Sequence, residues 1–98
     1  MLFHVAFEFI DPSEEGERRS LGVLAQWQPP AGTEIIDWYG FADNTGGIAI
    51  IEVDSARALT ELTAVWMPWC RFTVTPIVPI QERATIATAA IAFRDSVS

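Results

Sequence analysis

Residues 2–10 read Leu2-Phe3-His4-Val5-Ala6-Phe7-Glu8-Phe9-Ile10, and the alternation in this stretch decides the fold. The odd positions Phe3, Val5, Phe7 and Phe9 are all large and apolar, while the even positions set His4, Ala6 and Glu8 between Leu2 and Ile10. Successive side chains of a strand point to opposite faces, so this is a β-strand with one core face. Its other face carries an imidazole and a carboxylate and must meet water, a ligand or a second chain.

Outward from this strand, Asp11-Pro12-Ser13-Glu14 predicts a helix start, with Asp11 as N-cap, Pro12 at the first helical position and an acid three residues after the cap. The helix runs to about Gln26, with Leu21 and Leu24 on its inner stripe and Glu14–Arg18 and Glu15–Arg19 as solvated i,i+4 pairs. Gln28-Pro29-Pro30-Ala31-Gly32 stops it, and a second strand follows from about Glu34 to Ala42. Asp43-Asn44-Thr45-Gly46-Gly47 is hairpin chemistry, because Asn and Gly tolerate the positive φ of tight β connections. The third strand, Ile48 to Val53, is therefore antiparallel to the second. Asp54-Ser55 caps a second helix with Ala58, Leu59, Leu62, Val65 and Trp66 at helical spacing, ended by Met67-Pro68. Arg71 to about Pro79 reads as a fourth strand whose prolines confine its latter half to an edge, a bulge or a departure from the sheet. The tail from Gln81 to Phe93 reads as a helix on the stripe Ala84, Ala87, Ile91.

The 98 residues make one domain, half of them hydrophobic, with four Trp. Surplus apolar surface on so small a body points to self-association. The net charge is −7, there is no Lys, and the six Arg are scattered, so nucleic acid is excluded as a partner for want of a basic face. No apolar run approaches the length that crosses a bilayer, and no basic leader precedes the first strand. A single Cys70 rules out an intrachain disulfide and a cysteine metal cluster; the expected compartment is the cytoplasm.

The order βαββαβ with a terminal helix is the split βαβ, or ferredoxin-like, plan: a four-stranded antiparallel α+β sheet with both crossover helices on one face. The odd face of the first strand suits the helices, which leaves His4, Ala6 and Glu8 open with Arg71, Thr73 and Thr75 beside them. Packing that open face on a copy of itself gives a two-subunit barrel with a small chamber inside. The segments MLFHVAFEFID, EEGERRSL, QWQPP, YGFADNTGG, IEVD, WMPW and AIAFRDSV together resemble an uncharacterised bacterial domain-of-unknown-function family placed with the dimeric α+β barrels, over essentially the whole chain. The resemblance implies the fold and a homodimer, and carries no catalytic residue to any position. The wider superfamily includes cofactor-independent monooxygenases, haem-degrading enzymes and lactone isomerases, an analogy of fold alone.

The candidate ligand-binding residues are His4, Glu8, Trp38, Trp69, Arg71 and Thr73. Arg71 is suited to pair a carboxylate or enolate, and His4, the one imidazole of the chain, is suited to act as a base. The plainer reading is that Arg71 neutralises Glu8 or Glu52 inside a dimer. Trp38 and Trp69, expected near the open face or its rim, would wall an apolar pocket or simply fill a seam. One His with Glu8 and Glu52 is too thin a set for a metal, no haem attachment motif is present, and no cofactor is expected. Gly46-Gly47 joins two strands and is no phosphate loop, and Cys70 has no partner that would make it a nucleophile. The reading is a small homodimer binding an apolar or aromatic molecule in a chamber on the open sheet face. The alternatives are a cofactor-independent monooxygenase or isomerase using His4 and Arg71, or an assembly protein whose barrel is filled.

Overall fold

The computed structural model describes every residue from Met1 to Ser98. The elements are β1 (Leu2–Phe9), α1 (Glu14–Gln26), β2 (Thr33–Gly40), β3 (Gly46–Val53), α2 (Ala56–Ala64), β4 (Cys70–Pro76) and α3 (Ile80–Val97). The strands form one antiparallel sheet in the order β2-β3-β1-β4, the ferredoxin-like arrangement. Register fixes which side chains share a face: Val5 lies opposite Ala49 and Val74, Phe3 opposite Ile51, and Phe7 opposite Gly47 and Phe72. These are the odd positions of β1 and their partners. They turn toward α2, where Val5, Ala49, Ile51, Val53, Ala58 and Leu62 make the buried core. Gly47 is required there, because a Cβ would collide with the Phe7 ring and the Tyr39 carbonyl.

Three expectations are corrected locally. The N-cap of α1 is Ser13, whose hydroxyl accepts from the Gly16 N–H at 3.0 Å. Asp11 instead accepts from the Ser13 N–H at 3.0 Å, making an Asx turn that leaves Pro12 outside the helix. Its carboxylate lies so near the first turn that a Cβ on the buried Gly16 would strike it. The hairpin turns earlier than its glycines: Asn44 N–H donates to the Phe41 carbonyl, Asn44 takes φ 64°, and Gly46 and Gly47 are already paired in β3. α2 is capped by Ser55 as expected but ends at Ala64, beyond which i→i+3 turns carry the chain through Trp66 to Trp69.

The core is also smaller than the apolar pattern implies. Leu21 and Leu24 of α1 are 57% and 42% exposed, and Gly16 is the one buried residue of that helix. α1 therefore stands off the sheet. β4 is an edge strand that ends at Pro76, where the missing N–H costs nothing, and the chain then leaves the sheet. α3 projects from that edge with no buried residue, giving a Cα trace of 61 × 30 × 18 Å. The radius of gyration is 17.7 Å. About 13 Å would suffice for a compact domain of this length.

Candidate functional site

β2 contains the irregularity that positions the site. Ile35 lies opposite Ile51 and Asp37 opposite Ile50, so Ile36 and Asp37 together face a single residue of β3. This β-bulge inserts one residue and inverts the alternation beyond it. Trp38 consequently joins Ala49 on the helix side of the sheet, while Tyr39 joins Ile48 on the open side. Trp69 reaches the same helix side, next to Cys70 at the start of β4. The expectation that Trp38 and Trp69 lie near the open face is corrected by this geometry, and the candidate residues divide between two faces.

On the helix side, the gap under α1 is an apolar cleft of about 340 Å³. Its floor is the odd face of the sheet, including Phe7, Ala49 and Phe72, and Leu21 and Leu24 overhang it from α1. Trp27, Trp38, Trp66 and Trp69 wall it. Their rings form a chain of edge-on contacts, with centroids 5.9 Å apart for Trp27–Trp38, 5.4 Å for Trp27–Trp66 and 6.2 Å for Trp66–Trp69. Such tilted pairs are the preferred aromatic geometry and hold the walls in place. No charged side chain lines the cleft; its side-chain polar atoms are the indole N–H groups, the Ser20 hydroxyl and the Cys70 thiol. The Ser20 hydroxyl already donates to the Glu17 carbonyl at 2.9 Å. Burial pushes the Cys70 thiol up from its ordinary range, so it stays protonated at neutral pH. A cavity of this lining excludes ions and suits flat, neutral, apolar molecules.

The open face holds the other four candidates. Glu8 and Arg71 are register partners and Ala6 faces Thr73, while His4 sits between Ile50 and Thr75. His4 is half-buried, and Glu8, Arg71 and Thr73 are exposed. Although Glu8 and Arg71 are cross-strand neighbours, the ion pairs of the chain are Met1–Glu52, Arg18–Glu14 and Arg57–Glu61. His4 lies four residues from Glu8 along β1, a separation of roughly 13 Å. A ligand touching both His4 and Arg71 would have to span that length. No three His, Cys, Asp or Glu side chains converge on one point of the chain.

Sequence reasoning did not find the cleft, although Trp27, Trp38, Trp66 and Trp69 were all in view. The missing signal was the bulge, for which the consecutive β-branched pair Ile35-Ile36 before Asp37 gives no warning. The chain belongs to a family described as a domain of unknown function, DUF3303, whose family model matches residues 1–91. That match takes in both faces of the sheet, all four tryptophans and most of α3. None of the curated proteins matches the chain. No helix is long and apolar enough to cross a membrane.

Proposed function

We propose that this member of the family is a homodimer that binds a small, neutral, flat apolar or aromatic molecule in the tryptophan-walled cleft between α1 and the sheet. One observation carries the reading: a cavity of about 340 Å³ walled by four indoles and lined by no charged side chain. That volume falls within the span of roughly 300–1,000 Å³ usual for small-molecule sites. The indole N–H groups supply donors for an oxygen acceptor on the ligand, and the rings supply edge and face contacts. The overhanging Leu21 and Leu24 are the apolar surface that a ligand would cover. Of the residues singled out in the sequence, Trp38 and Trp69 belong to this site. His4, Glu8, Arg71 and Thr73 belong to the open face, which this reading gives to the second copy. The compartment is the cytoplasm, where the lone Cys70 remains a thiol.

Titration calorimetry with 2-naphthol and its carboxylate analogue 2-naphthoate tests the proposal. Saturable binding of 2-naphthol is expected, with 2-naphthoate at least tenfold weaker, since an unpaired charge would have to shed its water to enter. Trp38→Ala removes one wall and should weaken 2-naphthol binding by a similar factor. Equal binding of both probes, or none of either up to millimolar concentration, refutes the cleft as the site.

A further inference from the structure

α3 is the element of the fold that nothing covers. Its 18 residues rise about 27 Å, yet none is buried, and Ile80, Ile86, Ile91, Phe93 and Val97 are all more than half exposed. Ile80, Ala84, Ala87 and Ile91 recur at i, i+4, i+7 and i+11, and Ile86, Ala90, Phe93 and Val97 repeat that spacing on the adjoining stripe. The two stripes flank the row Arg83, Ala87, Ala90 and Arg94, so this half of the helix is apolar along its middle and cationic near both ends. Arg83 and Arg94 fall on this face near its two ends, and Glu82 and Asp95 fall on its borders. Most of a helix's stability in a protein comes from packing its apolar side, so a partner surface is called for.

The open sheet face has the complementary character. Ala6, Ile48 and Ile50 form its apolar middle, Glu8 lies at one end, and the cross-strand pair Glu34–Glu52 lies at the other, with Asp37 beside Ile50. Acids outnumber the cations, Arg71 beside Glu8 and the Met1 ammonium that pairs with Glu52. Glu8 and the Glu34–Glu52 row are six residues apart along the strand, roughly 20 Å. Arg83 and Arg94 are eleven residues apart on α3, roughly 16 Å, and their long side chains reach across the difference. α3 does not lie on its own sheet: three residues separate it from β4, and none of its own residues is buried.

We propose that each copy lays α3, apolar face down, across the open sheet face of a second copy, with Arg83 and Arg94 meeting the acids at its two ends. This rests on the homodimer reading and specifies it. A helix about 27 Å long and 10 Å wide covers about 270 Å² of sheet, so two exchanged arms bury on the order of 1,100 Å² over all four surfaces, enough for a specific dimer. Competing pairings oppose like charges. Two α3 helices paired antiparallel about their midpoint set Arg83 against Arg94, paired in parallel they set each Arg against itself, and sheet packed on sheet brings two acidic faces together.

Sedimentation velocity of the full chain over a hundredfold concentration range, on the parent and two variants, tests the arm exchange. Circular dichroism verifies the fold of each, and all substituted residues are exposed. The parent should run as a dimer, Arg83→Glu/Arg94→Glu should weaken it at least tenfold, and adding Glu8→Arg/Glu34→Arg in the same chain should restore it. A monomeric parent overturns the homodimer reading and the exchange with it. A dimer indifferent to the arginine reversal overturns the exchange alone. A dimer weakened by the reversal but not restored by the acid swap puts α3 on another surface, which also overturns it.

Discussion

Replacing Ile51 and Leu21 by alanine in separate proteins measures how far α1 stands from the sheet. Ile51 is 0% exposed at the centre of β3, and Leu21 is 57% exposed over the cleft. Each change deletes three carbons, about 2.4 kcal/mol in transfer free energy if fully buried. For Ile51 the hole left among Val5, Val53, Ala58 and Leu62 adds to this, and about 3–4 kcal/mol is expected. For Leu21 fewer than half of those atoms are withdrawn from water and no closed cavity results, so the loss should be about 1 kcal/mol. Alanine imposes no helix-propensity cost there. Urea titration at one fixed protomer concentration is the assay, because association contributes to apparent stability. Ile51→Ala should lower the midpoint about three times as far as Leu21→Ala, at similar m. Equal losses would mean that α1 packs directly on the sheet, which removes the cleft and the function proposed for it.

Acid sensitivity should trace in part to Asp11. Hydrogen bonds from the Ser13 side chain and backbone hold its carboxyl below the usual range, so its contribution is complete above about pH 4 and disappears as pH falls through the lower folded-state value. Asp11→Asn should flatten the decline in urea midpoint below about pH 4; an unchanged decline refutes the assignment. Cys70, buried with its thiol pushed up, should react with a disulfide reagent at pH 8 far more slowly in the folded protein than in urea. Equal rates would place it at the surface.

The fold was legible because its signals are local and redundant. The β1 alternation, the Ser55 cap, the Asn44 turn and the prolines after β4 each specify their own segment, and together they leave the ferredoxin-like order as the arrangement that fits. What was not legible depends on distance between layers or on a single inserted residue. Leu21 and Leu24 have the spacing of a core stripe whether or not the helix reaches the sheet. Asp11 and Ser13 are both good caps, and the choice turned on which backbone N–H groups each reaches. α3 was readable as a helix, but an alanine-rich sequence with apolar residues over half its surface does not say what it lies against.

The bulge at Ile36 ties these points to function. Without it Trp38 would face outward opposite Ile48 and Asp37 would oppose Ala49, a carboxylate on the floor of an apolar cleft and an indole among the acids of the open face. With it, the two faces separate by chemistry. All four indoles gather on the helix side, where no charged side chain lines the cavity, while Glu8, Glu34, Asp37, Glu52 and Arg71 stay on the other side. The proposed ligand site and the proposed dimer surface then lie on opposite faces of one sheet and share no side chain. Trp38→Ala should accordingly weaken 2-naphthol without touching the dimer, and Arg83→Glu/Arg94→Glu should weaken the dimer without touching 2-naphthol. Cross-effects in either direction would mean that the two surfaces are coupled through the strands between them, against the separation that the bulge creates.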